Sequence, residues 1–371
     1  MISFNFMLYL PFNLIQQHNM QYRQISDREG GYMVRLAEFG QMECHMMMEP
    51  FDKDASAEEC IKGMKKGLEL VLNTELKGYR AVFRRWFLSD AALQTDLIDE
   101  KGSPDVSIIQ QPPMNGGKAA LWVWLMKGVS SRYTYSFKSD IRSGKQGSYL
   151  QMKEIFEDYS GELAKESLNI REHCARTWIY VRDVDVNYSG IVQARRELFD
   201  EWGLNKDTHY IASTGINGQT KDFRNLVSMD AYTVTGLESK DIQHLHAYEN
   251  LSPTHFYGVT FERGTALHFE DRTQILISGT ASIDKEGQIV AQGDIEKQTD
   301  RTFENIGALL HEAGADFKDI AQMIVYIRDT ADYNKVERYV SDRFPSVPRV
   351  ITWAPVCRPG WLVEVECIAY V

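Results

Sequence analysis

Cysteine is scarce in this 371-residue chain, and the five it has (Cys44, Cys60, Cys174, Cys357 and Cys367) include no C-x-x-C pair. An odd number without close spacing argues against a disulfide framework and fits reduced thiols in a cytoplasmic protein. Long apolar runs are missing too, and no stretch reaches the ~18 residues of a transmembrane helix, so no membrane partner is expected. Positive charge is in deficit: 41 Lys and Arg face 52 Asp and Glu, for a net charge of −11. There is no long basic run, which disfavours nucleic acid, because phosphate binding is driven by clustered Lys and Arg. "GINGQTK" lacks P-loop spacing. His244, His246 and His255 lie in a linker-like stretch without acidic or cysteine ligands at suitable spacing, so neither metal nor cofactor is expected.

What is present describes an ordinary globular chain with a large core, 43% hydrophobic and 25% charged. Its length suggests two to four domains at ~100–200 residues each. The apolar opening has no basic n-region and no small-residue cleavage site, so residues 1–29 read as a poorly structured leader, with Met20 an alternative start.

Three apolar runs stop abruptly at an aspartate: "WFLSD" ending at Asp90, "IYVRD" at Asp183 and "VYIRD" at Asp329. Each is preceded by a helical pattern. Before Asp90, Cys60, Ile61, Met64, Leu68 and Val71 share one face; before Asp183, Met152, Ile155, Phe156, Tyr159 and Leu163 do; before Asp329, Ile295, Phe303, Ile306 and Leu310 do. Gly314 is placed to stop the last of these helices. Amphipathic stretches follow Asp183 and Asp329, whereas only the stub "AALQTDLI" follows Asp90. A strand then closes each unit: "KAALWVWLM", "NLVSMDAYTV" and "WLVEVECIAYV". The chain therefore reads as three α+β units, at 30–130, 131–249 and 250–371. Helix-and-sheet units of this kind close about a pseudo-threefold axis, with sheets inward and helices outward, as a heterologous interface does when its rotation closes.

From about Ser252 to Val371 the third unit resembles the Rid (RidA/YjgF) family. The resemblance is carried by "ILISGTASIDKEGQ", the Q…N helix, "AGA", the D-terminated strand, and "VPRVITWAPVCRPGWLVEVECIA", in which an arginine precedes a V-E-h-E strand. The resemblance implies a chorismate-mutase-like fold that assembles as trimers with small-molecule pockets between subunits. This chain would then be such a trimer in one polypeptide, a monomer or a further homo-oligomer. The same superfamily contains chorismatase-type hydrolases, which are also longer single chains.

Chemistry converges on the last strand. Strand alternation puts Glu364 and Glu366 on one face, where two carboxylates would repel if buried without partners. A gapless overlay of units one and three gives Trp122 and Trp124 as their counterparts in unit one, and the corresponding positions in unit two are Ser228 and Asp230. Arg349 opens a strand after Pro348 and can clamp a carboxylate through two parallel hydrogen bonds. Its overlaid position is Ser107 in unit one and near His209 or Tyr210 in unit two, so one complete pocket is expected, built mainly on unit three. The resemblance assigns carboxylate binding to Arg349 and water handling to Glu364. It places Ser278 and Tyr257 in the pocket; Thr352, in the strand that Arg349 opens, is read as a further substrate-binding residue. The family's pocket cysteine is Ile351 here, and an asparagine of the second helix falls at Glu337.

Three functions compete for a small carboxylated metabolite. The first is a cofactor-independent imine or enamine deaminase, with Arg349 holding the carboxylate and Glu364 directing water. The second is a chorismatase-like hydrolase, in which a glutamate protonates an enol ether and a further clamp comes from Arg263 or Arg224. The third is a non-catalytic binding module. The family's old endoribonuclease and translation-inhibitor labels fit poorly with the acidic charge and the lack of a nucleophile–base pair.

Overall fold

The computed structural model describes residues 19–100, 105–128 and 130–371. Among these residues sixteen strands form three sheets. In the first unit they are β1 (Met20–Asp27), β2 (Tyr32–Phe39), β3 (Glu43–Pro50), β4 (Tyr79–Leu88), β5 (Val106–Gln110) and β6 (Ala119–Lys127), in the order β1-β2-β3-β6-β4-β5. The second unit contributes β7 (Thr134–Arg142), β8 (Cys174–Val181), β9 (Ala212–Asn217) and β10 (Val227–Thr235), in the order β7-β10-β8-β9. The third contributes β11 (Ile242–Leu245), β12 (Gly264–His268), β13 (Thr273–Ala281), β14 (Ile320–Ile327), β15 (Arg349–Trp353) and β16 (Val363–Tyr370), in the order β11-β12-β13-β16-β14-β15. The first and third orders are the same. The second is that order without its outer hairpin. In each sheet the D-terminated strand pairs in parallel with the edge strand that follows it.

The helices are α1 (Ala57–Thr74), the one-turn α2 (Ala91–Gln94), α3 (Ser148–Lys165), the one-turn α4 (Ile170–His173), α5 (Val184–Glu201), α6 (Ile295–Glu312) and α7 (Tyr333–Arg343). Their ends follow from local chemistry. Ser56 and Glu59 form a reciprocal capping box at α1, Asp294 caps α6 by accepting from Lys297 N, and Gly314 leaves α6 at φ +76°. The strand-terminal aspartates are helix starters. The side chain of Asp90 accepts from Leu93 N and that of Asp329 from Ala331 N, whereas Asp183, at φ 48°, starts α5 through its carbonyl, which accepts from Val186 N and Asn187 N. The stub after Asp90 supplies only the single turn of α2 and a 3-10 turn, Thr95–Leu97.

Every residue of β3, β8, β14 and β16 is buried, because each strand packs helices on one face and the other units on the opposite face. Around the axis, units one and two mesh through aromatic rings: Phe83 stacks on Phe137 at 5.0 Å and on Trp178 at 5.8 Å, and Trp122 meets Trp178 edge-on at 6.2 Å. His45 of unit one lies 2.8 Å from the Tyr370 hydroxyl of unit three, and Arg272 pairs with buried Glu43 at 2.7 Å.

Three details depart from the sequence reading. Residues 20–27, expected in the leader, pair along their whole length with β2 and form the edge of the first sheet; residues 1–18 lie outside the described residues. The ladders also shift two counterparts in unit one. Glu364 lies opposite Tyr326 and corresponds to Ala120 opposite Phe87, so Glu366 corresponds to Trp122. Arg349, opposite Met323, corresponds to Val106 opposite Arg84 and to Ser213 opposite Thr177. Gapless overlay fails because the connecting loops differ in length, and one residue of slip exchanges the two faces of a strand.

Candidate functional site

The two carboxylates of β16 sit in different environments. Glu366 faces the axis and is saturated. It accepts from Arg176 at 2.8 Å, from Trp178 Nε1 at 2.9 Å and from the Thr214 hydroxyl, and Arg85 Nη1 stands 3.8 Å away. Arg85 also pairs with Asp230 at 3.2 Å, and Tyr180 donates to that same carboxylate at 2.8 Å. This buried array joins all three units and sets each charge against an opposite one, while Arg85 Nε and Nη1 make no hydrogen bond among the described residues.

Glu364, two residues earlier, points toward the seam between units two and three. It lines a small cavity with Tyr188 of α5 and with Phe261, Arg263, Cys357, Arg358 and Trp361 of unit three. The volume is ≈ 20 Å³, the room of about one water. Among the described residues no hydrogen-bond donor reaches its carboxyl. Burial first, and then the neighbouring Glu366 carboxylate, push it up to about 8, against the opposing pull of Arg176 and Arg263. Glu364 is therefore a carboxylic acid at neutral pH. The β13–β16 ladder is irregular at Ser278–Gly279, beside this group. Burial first, and then Glu364, push the Cys357 thiol, which lines the cavity with Tyr188, up to about 12, so the sulfur stays protonated. Arg263 donates to the Ser252 carbonyl at 2.9 Å and lines both this cavity and a cleft of ≈ 100 Å³.

Arg349 is elsewhere. It lines a ≈ 50 Å³ cavity at the seam between units one and three, with Arg35, Glu49, Asn115, Tyr333 and Glu337, none of which borders the Glu364 cavity. Its guanidinium donates to the Phe344 carbonyl at 2.8 Å and to Ser341 Oγ at 2.7 Å. The expected pair is thus divided between two interfaces. A strand-opening arginine of one unit meets the closing strand of the next, so Arg349 meets unit one, where Ala120 replaces the glutamate, and Glu364 meets unit two, where Ser213 replaces the arginine. Ser213 nonetheless has a guanidinium beside it: buried Arg195 of α5 donates to Ser213 Oγ at 3.3 Å and to Thr260 Oγ1 at 3.1 Å.

Ser278 is fully buried and occupied. Its hydroxyl donates to the Glu262 carbonyl and accepts from Arg176 at 3.0 Å and Ser213 N at 2.9 Å, so it ties units two and three together and lines neither cavity. Thr352 is buried against unit one, in a bridge with Pro113. Tyr257 falls in a helical turn, Thr254–Tyr257, and its side chain lies outside the described residues. Arg224 is exposed and bonded to Asp222. Tyr188, Cys357 and Arg358 escaped the sequence reading. The "PVCRPGW" loop reads in the sequence as signature alone, and nothing in a sequence sets Tyr188 of another unit beside it. Among the described residues no group of three or more His, Cys, Asp or Glu side chains could hold a metal ion.

A family model described as endoribonuclease L-PSP matches residues 266–371. A RutC family protein of Pyrococcus abyssi is 39% identical over 98 residues, which are 26% of this chain and 77% of that protein. The chain belongs to this family. Its RutC-like portion is the third unit, which carries Glu364 and Arg349. A 3-aminoacrylate deaminase RutC of Acinetobacter baylyi is 28% identical over 99 residues, 26% of this chain and 79% of that protein. Over most of its length the chain is similar to a chorismatase crystal structure, with a TM-score of 0.61 and 19% identity, covering 78% of this chain and 92% of that one. That likeness is one of fold: three RutC-like units in one polypeptide.

Proposed function

We propose that the protein is a cofactor-independent hydrolase that protonates the electron-rich alkene carbon of a small carboxylated enol ether of the chorismate type. The observation that carries this reading is Glu364, a buried carboxyl held in its acid form up to about pH 8 beside two arginines, Arg263 and Arg358. A general acid must hold its proton at working pH, and burial is a common way to arrange it. Glu364 delivers the proton to the terminal alkene carbon, leaving an oxocarbenium ion and a carboxylate. That carboxylate takes a proton from the water that adds to the cation. The hemiketal then collapses to an alcohol and a 2-oxo acid, pyruvate for chorismate, so the sum is one water consumed and the acid restored. Arg263 or Arg358 holds the substrate carboxylate, and the loop around Tyr257 shifts to admit it, since the cavity is water-sized.

A second reading shares the first step. The similarity to a 3-aminoacrylate deaminase favours an enamine, whose carbon Glu364 would protonate before water expels ammonia. The test offers chorismate and freshly generated 3-aminoacrylate in parallel, reading pyruvate or ammonia release. Turnover of the first that vanishes in Glu364→Gln supports the main reading, and turnover of only the second selects the deaminase. Turnover of neither would leave a binding module.

A further inference from the structure

A cavity of ≈ 540 Å³ lies away from Glu364, between the outer hairpin of unit three and the start of β8. Quasi-symmetry says that this seam should be filled. Tyr22 of β1 stands opposite Ala37, which stands opposite His45; His244 of β11 stands opposite Thr265, which stands opposite Leu276. His45 and Leu276 in turn face Trp124 and Ile368 at matching places in the closing strands. His244 is therefore the counterpart of Tyr22. Tyr22 plugs its seam, its hydroxyl 2.9 and 2.7 Å from the carbonyl oxygens of Lys318 and Ile320. Counted back from Asp183 as those two are from Asp329, the corresponding residues are Glu172 and Cys174, and both line the cavity. His244 does not reach them. Its ring stacks on His209 at 4.3 Å, and its buried Nδ1 has no hydrogen-bond partner.

We infer that this open seam is a second ligand site, built for a small, flat carboxylate with an apolar body, such as an aromatic acid. Its size falls within the ~300–1,000 Å³ of small-molecule sites. Ile211, Val234, Ile242 and Leu267 offer apolar wall, and the His209–His244 pair offers a flat polar one. Burial and the neighbouring His209 push His244 down to about 4, so its ring is neutral and can hydrogen-bond without charge. At the rim, Glu172 is held by Asn169 and Glu238 by Lys240, and no carboxylate among the described residues pairs with Arg171, which leaves that guanidinium for the anion.

Benzoate titrated calorimetrically into the full chain tests this. Saturable one-to-one binding is expected in wild type and in Glu364→Gln, weakened about tenfold or more by Arg171→Ala, the scale of a lost charged hydrogen bond. His244→Tyr, which restores the plug seen at Tyr22, is expected to abolish binding and raise Tm. Ile242→Phe fills the cavity from another wall and covers the case in which the tyrosine variant does not fold. Failure of benzoate to bind, binding unchanged by both filling variants, or loss of binding in Glu364→Gln alone would overturn the site; the last would place benzoate in the Glu364 cavity instead.

Discussion

Gly279 and Glu364 approach so closely that a Cβ on the glycine would stand 2.3 Å from the carboxyl Oε1. The glycine is required here by this approach and not by a left-handed backbone. Its amide donates to Thr214 Oγ1 at 2.9 Å, which fixes the bulge against unit two.

Gly279→Ala is therefore expected to fold and to lose turnover. Accommodating the methyl group costs ~1–3 kcal/mol of overpacking and displaces the acid from its place. Because a misplacement of ~1 Å can cost on the order of 10²-fold, kcat should fall by about that factor while circular dichroism stays that of wild type. Full activity in the alanine variant would remove Glu364 from the chemistry.

The acid form of Glu364 sets a pH dependence with a definite sign. In the unfolded chain a glutamate loses its proton near ~4.3, and in the folded protein this one holds it to about 8. Between those values the folded state binds more protons than the unfolded state, so this group's contribution to stability declines as pH rises through the window. Two results follow. The rate constant kcat/KM should be flat through neutrality and fall above about pH 8. Glu364→Gln should melt higher than wild type near pH 8, with the difference shrinking toward pH 4–5 as wild type becomes protonated in both states.

Dividing Arg349 from Glu364 reverses the obvious expectation for the arginine. Arg349→Ala should leave KM unchanged, because no residue of its cavity borders that of Glu364. It should instead lower stability by ~1–3 kcal/mol, since the Phe344 carbonyl loses a buried charged donor. Arg263→Ala should raise KM by about tenfold or more. Steady-state kinetics beside chemical denaturation of both variants decides the matter; a KM effect confined to Arg349→Ala would restore the undivided site.

The repeat was legible because its signals are local. Helical spacing before Asp90, Asp183 and Asp329 and the closing strands recur at similar places, and periodicity survives sequence divergence. Glu364 was singled out by its place in the family motif, since strand alternation alone puts Glu366 on the same face. The spatial separation of Glu364 from Arg349 was not legible. Their separation along the chain is the family's, but a trimer-like interface joins each group to a different neighbour, and in a single polypeptide those neighbours have diverged to Ser213 and Ala120. Interface partners such as Tyr188, and one-residue differences in loop length that moved the counterpart of Arg349 from Ser107 to Val106, have no local signature.

Glu366 offers the sharpest separation between holding the fold and doing chemistry. Removing its carboxylate leaves Arg176 and Arg85 buried with Asp230 as the remaining acid of the array, and stripping one partner from a buried charge pair costs ~3–5 kcal/mol. Glu366→Gln keeps an oxygen for Trp178 or Thr214, so it should fold, melt lower than wild type and turn over far better than Glu364→Gln. It should also change the pH profile. The Glu366 carboxylate raises the Glu364 acid, second only to burial, so neutralising it should move the basic limb of kcat/KM below its wild-type position of about 8. On the proposed reading the two groups are coupled through space, with Glu366 chiefly holding the fold and Glu364 delivering the proton. A limb that stays where it was would show that some group other than Glu364 supplies the proton.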